Sequence, residues 1–304
     1  MSSDACSLSV VDLSKLPAEQ GKLRAAVSET GLGCFRVVNH GIPMALLEEM
    51  MATGASLMDL PPEVKHRNKD TMPGTGYLQP HRMGIVEALG IYDAASSDDV
   101  RAFCASLDVL PHHRDILCSS ISKLLDLIIS LAFQVAACLG VVDCSFQEWS
   151  CTLRLIQYNF TEKTIGSIGA LEHTDTSFIT IISEDKCNGL EIMDSNGNFV
   201  CVDPVPETLL VMIGDIAKVW SNGRLHNVTH RVVCKKEEPR FSIALFLMAP
   251  KDNKVEPRAE LVDTEHPSRY RSFDYVEYKR DRLISRLFKG ETLLRWARDQ
   301  DALV

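Results

Sequence analysis

At 304 residues the chain is long enough for one large domain or two small ones. Its 45% hydrophobic and 24% charged residues are those of an ordinary globular protein, and its net charge of −9 argues against non-specific binding to nucleic acid or to an anionic membrane. The ten cysteines form no Cys-x-x-Cys pair and sit mostly in apolar contexts such as Gly33-Cys34-Phe35, which reads as reduced thiols in a cytoplasmic protein rather than a disulfide framework or zinc site.

In chain order, residues 7–12 read as a short strand, Pro17 to Ser28 as a helix, and Gly33 to Asn39 as a strand ending at His40-Gly41. Pro43 to Leu57 has the periodicity of an amphipathic helix. Leu60-Pro61-Pro62-Glu63 ends one element and starts another helix, and Pro73-Gly74-Thr75-Gly76 is a loop. Residues 112–140 carry the longest helical pattern. Its most apolar part, Leu124 to Leu139, contains Asp126 and Gln134 and falls short of the about 20 residues that a membrane span needs. No charged region followed by an apolar core opens the chain, so neither a secretory signal nor a membrane role is expected.

From Cys151 onwards the texture changes. Segments 151–160, 174–182, 189–193, 199–203, 208–213, 227–234 and 240–247 alternate, and turn signals such as Asn188-Gly189, Asn196-Gly197 and Gly214-Asp215 separate them. Regular short strands of this kind predict an antiparallel sandwich or barrel. The tail, about 273–298, returns to helix. The expected organisation is an N-terminal region (1–110), a helical segment packing on the core (111–150), a β core (151–250) and a helical tail (251–304), all serving as one unit.

The chemistry concentrates in Leu171-Glu-His-Thr-Asp-Thr176 and in two later segments, His226-Asn-Val-Thr-His-Arg231 and Arg240-Phe-Ser242. If Thr174 to Ile182 is a strand, His173 and Asp175 project from one face at period two. A histidine from a neighbouring strand would then complete two imidazoles and one carboxylate on one side of a metal, the pattern of non-haem Fe(II) oxygenases with open coordination positions. His-x-Asp alone is weak, and His226 and His230 both qualify as the distant partner by spacing. His226 lies nearer the Asn222-Gly223 turn; His230 lies deeper in an apolar run. Along 240–247, Arg240, Ser242, Ala244 and Phe246 share one face. An arginine and a serine facing a β core are costly unless they bind something. The plain alternative is an ion pair with an internal carboxylate; the functional one is a bidentate clamp on a ligand carboxylate.

Together, His173, Asp175, His230 and Arg240-x-Ser242 resemble the plant soluble 2-oxoglutarate- and Fe(II)-dependent dioxygenases. The 57-residue step from His173 to His230, the ten residues on to Arg240, and the segments Gly33-Cys-Phe-Arg-Val-Val-Asn-His-Gly41 and Ser221-Asn-Gly-Arg224 carry that likeness over nearly the whole chain. The resemblance implies an α+β fold, with a double-stranded β-helix (jelly-roll) core, a helical N-terminal region and a C-terminal helix. It selects His230 over His226 and implies that His173, Asp175 and His230 hold Fe(II). Arg240, Ser242 and Tyr158 would bind 2-oxoglutarate, with O2 as the other cosubstrate and ascorbate as a reductant. Two departures stand out: Ile156, where many members have asparagine, and Ser177, where His-Thr-Asp-x-Gly is commoner.

Within the family, Pro73-Gly-Thr-Gly-Tyr77, Glu87-Ala-Leu-Gly-Ile-Tyr-Asp93, Trp220-Ser-Asn-Gly-Arg-Leu-His-Asn-Val228 and Phe246-Leu-Met-Ala-Pro-Lys-Asp252 are similar to the dioxygenases for auxin oxidation. That likeness implies a small aromatic substrate such as indole-3-acetic acid, oxidised to 2-oxindole-3-acetic acid, with Phe246 lining the cavity and Tyr77 and Arg82 at its mouth. Arg82 would pair with an acidic substrate. The same chemistry on another specialised metabolite or hormone, an ascorbate-dependent oxidase, and an inactive ligand-binding sensor are the rival readings.

Overall fold

The computed structural model describes residues 7–80 and 85–297. The first half forms β1 (Val10–Asp12), α1 (Gln20–Val27), β2 (Cys34–Val38), α2 (Met44–Met58), the short α3 (Pro62–Lys65), β3 (Val86–Ile91), α4 (Ser97–Ser106) and α5 (Pro111–Cys138). The second half forms β4 (Trp149–Tyr158), β5 (Ile168–His173), β6 (Ile179–Glu184), β7 (Leu190–Met193), β8 (Phe199–Cys201), β9 (Leu209–Ile213), α6 (Asp215–Trp220), β10 (His230–Val233), β11 (Arg240–Pro250), β12 (Lys254–Val255), β13 (Phe273–Asp274) and α7 (Tyr275–Ser285).

The strands make a seven-stranded sheet in the order β1-β2-β9-β6-β11-β4-β3, a four-stranded sheet in the order β5-β10-β7-β8, and the small pair β12-β13. Side chains of both larger sheets, including Tyr158, Ile192, Leu210, Met212 and Val232, share one apolar cluster between them. The other face of the large sheet packs under α2 and α5. This is the double-stranded β-helix expected from the sequence, an α+β fold with its helices on the outside of the larger sheet.

Central β11 shows how sequence period becomes architecture. Phe241, Ile243, Leu245 and Leu247 enter the cluster under the helices. Their alternates face the smaller sheet, in register with Tyr158 (Arg240), Ile156 (Ser242), Arg154 (Ala244) and Thr152 (Phe246) of β4. Period two therefore separates an apolar face from a functional one on the same strand.

Three expectations need correction. Thr174 to Ile182 is not one strand: β5 ends at His173, residues 174–178 turn, and β6 starts at Ile179. Gly214-Asp215 does not join two strands directly; it opens α6, a single helical turn and a half inserted before the next turn. Elements α4 and β3 were not among the expected ones, although Ser96 accepts from the Asp99 amide at 3.3 Å as an N-cap and Asp98 and Asp99 fill the first turn.

Helix α5 matches the helical pattern expected at 112–140. It starts on Pro111, whose missing N–H costs nothing in a first turn, and ends at Cys138, two residues before Gly140, whose φ of 77° suits the left-handed exit. By length and composition alone it could cross a membrane. Its face of Leu117, Leu124, Ile128, Leu131 and Val135 is instead buried in the protein core. Leu131→Ala is expected to cost about 2–5 kcal/mol of unfolding free energy by leaving a cavity, whereas Cys118→Ser on the exposed side of the same helix should leave stability unchanged. Urea unfolding of both variants checks this.

Candidate metal centre and cavity

His173 ends β5 and His230 begins β10, and the two are register partners across the antiparallel pair. Their rings therefore meet, with centroids 4.2 Å apart and planes tilted by 52°. Each ring is oriented by its own backbone: His173 Nδ1 lies 2.6 Å from the Leu171 carbonyl oxygen and His230 Nδ1 lies 3.2 Å from that of Val228. A carbonyl can only accept, so in both neutral rings Nδ1 carries the proton and Nε2 keeps its lone pair. Burial, with His230 adding to it, pushes His173 down to about 4, which favours that neutral form.

Asp175 comes from the turn after β5 rather than from a strand. Its Oδ1 lies 3.7 Å from Nε2 of both histidines, and the three ligand atoms all lie within 4.8 Å of one another. Its other oxygen accepts from Thr180 Oγ1 at 2.6 Å, and Thr180 Oγ1 in turn lies 2.8 Å from Ser177 Oγ. With Thr180 donating to the carboxylate, Ser177 donates to Thr180. The departure at Ser177 thus supplies one more donor to a fully buried chain of hydroxyls behind Asp175. Two neutral imidazoles and a carboxylate that converge with a hydrogen-bonded outer layer fit a divalent transition metal with open positions.

The turn bearing Asp175 is held from below. Asp215, at the start of α6, is fully buried; its amide donates to the Asp175 carbonyl at 2.8 Å. Its carboxylate accepts from Asn227 Nδ2 and Arg282 Nη1, each at 2.6 Å, and from the Tyr278 hydroxyl. Arg282 also donates to the Thr174 carbonyl and, at 2.6 Å, to that of Phe288. Residue 214 must be glycine for this approach, because a Cβ there would lie 2.2 Å from the Ser177 carbonyl oxygen. Sequence reading missed Asp215, Asn227, Tyr278 and Arg282. One signal was available: Tyr275, Tyr278 and Arg282 recur at helical spacing on one face of the tail.

Beside the histidines lies a cavity of about 580 Å³ whose lining includes Ile156, Tyr158, His173, Asp175, Phe246 and Met248. Phe246 and Tyr158 both line it. Arg240 and Ser242 are buried next to it: the Arg240 guanidinium lies 5.5 Å from the Tyr158 ring centroid and donates to Ser242 Oγ at 3.3 Å. The plain alternative is realised, since Arg240 pairs with Glu184 of β6 at 3.2 Å. Glu184 is shared with buried Arg36 at 2.7 Å, so one carboxylate answers two guanidiniums. Arg240 Nε is buried with no partner. A cation half neutralised and still holding an unused donor fits an added carboxylate.

Two expectations for the mouth fare differently. Tyr77 does not line the cavity; its hydroxyl donates at 3.0 Å to Glu87, which makes a buried ion pair between β3 and Lys65 of α3. Arg82 lies outside the described residues. His226 stands apart from the cluster, with its amide bonded to the Val27 carbonyl at 3.0 Å.

Residues 149–249 match the model of the 2OG-Fe(II) oxygenase superfamily, and residues 8–97 match that of the non-haem dioxygenase in morphine synthesis N-terminal region. The chain is 48% identical over 282 residues to the 2-oxoglutarate-dependent dioxygenase DAO of Oryza sativa subsp. indica, covering 92% of this chain and 93% of that one. The crystal structure of the dioxygenase for auxin oxidation in rice superposes with a TM-score of 0.89 at 46% identity, covering 96% of this chain and 100% of that one. The Arabidopsis thaliana dioxygenase for auxin oxidation 1, in its binary complex with 2-oxoglutarate, superposes with a TM-score of 0.82 at 42% identity, covering 86% and 100%.

Thr180 bonds the carboxylate oxygen that does not face the histidines, so Thr180→Val tests the outer layer without touching a ligand. Losses of about 10- to 100-fold in metal affinity are usual for such partners, and that range is expected in an anaerobic Fe(II) titration. Unaltered affinity would mean that Thr180 only fills space.

Proposed function

The chain belongs to the 2OG-Fe(II) oxygenase superfamily and is a 2-oxoglutarate-dependent dioxygenase; from this we propose that His173, Asp175 and His230 hold its iron, that Arg240, Ser242 and Tyr158 receive the distal carboxylate of 2-oxoglutarate, and that its substrate is indole-3-acetic acid or a close indole relative. The observation that carries the iron assignment is the approach of both histidine Nε2 atoms to one Asp175 oxygen, each at 3.7 Å. When bound, iron with 2-oxoglutarate and O2 supplies the oxidising power, coupling decarboxylation of the cosubstrate to succinate with oxidation of the organic substrate.

The chain's own residues do the rest. His173 and His230 present fixed lone pairs, and Asp175 presents a carboxylate whose outer oxygen Thr180 holds. Arg240 offers its unpartnered Nε while Arg36 keeps Glu184 neutralised, so a carboxylate is received without stranding a charge. Apolar side chains such as Phe246, Ile156 and Met248 exclude water from the cavity and leave room for a flat aromatic ring. The rice and Arabidopsis relatives are named for auxin oxidation, which supports auxin as the substrate; the product proposed with it is 2-oxindole-3-acetic acid. The mostly apolar sequence contexts of the cysteines, with no Cys-x-x-Cys pair, support work in a reducing compartment, the cytosol.

With Fe(II), 2-oxoglutarate and O2, indole-3-acetic acid is expected to disappear in step with succinate formation. Failure to consume any indole, with succinate still released on another metabolite, would reject the substrate and keep the chemistry. His173→Ala, Asp175→Ala and His230→Ala should each abolish turnover, while His226→Ala keeps most of it; the reverse pattern for the two distant histidines would reject the ligand set. Arg240→Ala should raise the apparent KM for 2-oxoglutarate by about 10- to 150-fold, the worth of a charged hydrogen bond of roughly 1.5–3 kcal/mol, and leave that for the indole near its starting value. An unmoved 2-oxoglutarate KM would place its carboxylate elsewhere.

A further inference from the structure

Two cations stand in the wall of the cavity without an ion-pair partner among the described residues. Arg154 projects from β4 between its register partners Gly90 of β3 and Ala244 of β11. Its Nη1 donates to the Gly76 carbonyl at 2.6 Å. The guanidinium has space there because residue 90 lacks a side chain: a Cβ would come within 2.6 Å of Nη1. Lys279 reaches the same cavity from α7, with its ammonium 5.8 Å from the centroid of the Tyr275 ring.

Among the described residues neither cation makes an ion pair. The acidic residue that acts on both is Asp70, which is exposed and whose oxygens accept from the Gly74 and Gly76 amides. Burial pushes Lys279 down to about 8, and Arg154 and Arg282 add repulsion; burial also pushes Arg154 down to about 10. Both side chains are partly buried, and the contrast with the fully buried cations is plain. Arg36 and Arg240 share Glu184, Lys65 pairs with Glu87, and Arg282, the third cation in this wall, pairs with Asp215. Charge partly withdrawn from water and left unanswered is costly unless a ligand brings the counter-charge.

We propose that Arg154 and Lys279 together bind the carboxylate of the organic substrate, so that the cavity selects small apolar acids over their neutral analogues. This rests on the reading of the adjacent centre as the iron site. The pair is separate from the site assigned to 2-oxoglutarate. Arg154 is four residues along β4 from Tyr158, the register partner of Arg240, which at ~3.3 Å per residue is about 13 Å along the strand. One strand therefore carries an anion site at each end, with Ile156 between them, and a carboxylate held at the Arg154 end would leave the ring of the acid against Phe246 and Met248.

The test is calorimetric titration under argon of the Fe(II)-loaded enzyme with 2-oxoglutarate present, using indole-3-acetate and indole-3-acetamide as probes. The unaltered enzyme should bind the acid about tenfold or more tightly than the amide. Arg154→Gln and Lys279→Gln should each weaken the acid by on the order of tenfold, while the amide and 2-oxoglutarate bind as before. Equal or absent binding of acid and amide by the unaltered enzyme, or parallel loss of both in the variants, would overturn the proposal. So would loss of 2-oxoglutarate binding in both variants, which would give the two residues a purely structural role. Failure of the unaltered enzyme to take 2-oxoglutarate, seen before any indole is added, would strike the iron-site reading itself and remove the premise.

Discussion

The buried pair between Asp215 and Arg282 is the interaction on which the rest of this site depends. Asp215 is fully buried and Arg282 nearly so, and such a pair is tolerable only when every remaining donor and acceptor is used. Here Tyr278 and Asn227 complete the carboxylate, and the carbonyls of Thr174 and Phe288 take up the guanidinium. The result is that three distant stretches of chain, around 174, 215 and 282, cannot separate without exposing an unpaired charge. The turn that carries Asp175 is one of the three and is bonded to both of the others. An irregular backbone segment, which in isolation would fluctuate, is thereby made as rigid as the strands beside it.

A second economy of charge runs through the inner face of the large sheet. Arg36 of β2, Glu184 of β6 and Arg240 of β11 come from strands far apart in sequence, yet sheet order brings them together. A lone buried arginine would be a strong anion trap but a poor folding partner. A fully neutralised one would fold well and bind nothing. Two guanidiniums on one carboxylate lie between these limits. At the other end of β4 the compromise is different: Arg154 rests on a neutral carbonyl and Lys279 on an aromatic face, so the counter-charge is left for whatever enters the cavity.

Much of this was legible in the sequence, and the failures have physical causes. The alternation in 240–247 announced which side chains of β11 face inward, because period two is a local property. His173 and Asp175 stood out by residue type and spacing, and the family resemblance chose His230 over His226, but the expected path was partly mistaken: Asp175 joins the histidines through a turn, not through the pleat of a strand. Residue spacing records how far the chain travels and is silent on the path. Arg282 and Asp215 escaped because the fact that matters about each is a partner 67 residues away, and their local segments read as an amphipathic tail and a turn. Tyr77 was misplaced for a related reason. Its loop does border the cavity through Gly74, Thr75 and Leu78, but the tyrosine turns away towards Glu87, and nothing local in the sequence says which way it turns.

The two bonds from histidine Nδ1 to the carbonyls of Leu171 and Val228 carry a last consequence. In each case the orienting partner is a main-chain atom two residues before the ring. Leu171 has an exposed side chain and Val228 a buried one, yet neither side chain does the orienting. Replacing Leu171 by almost any other residue leaves the acting oxygen in place, and at Val228 what a substitution disturbs is core packing rather than that oxygen. Part of what aims this centre is therefore invisible to genetics: it has no codon of its own, an alanine at 171 would pass it by unnoticed, and only a change in the path of the backbone could remove it.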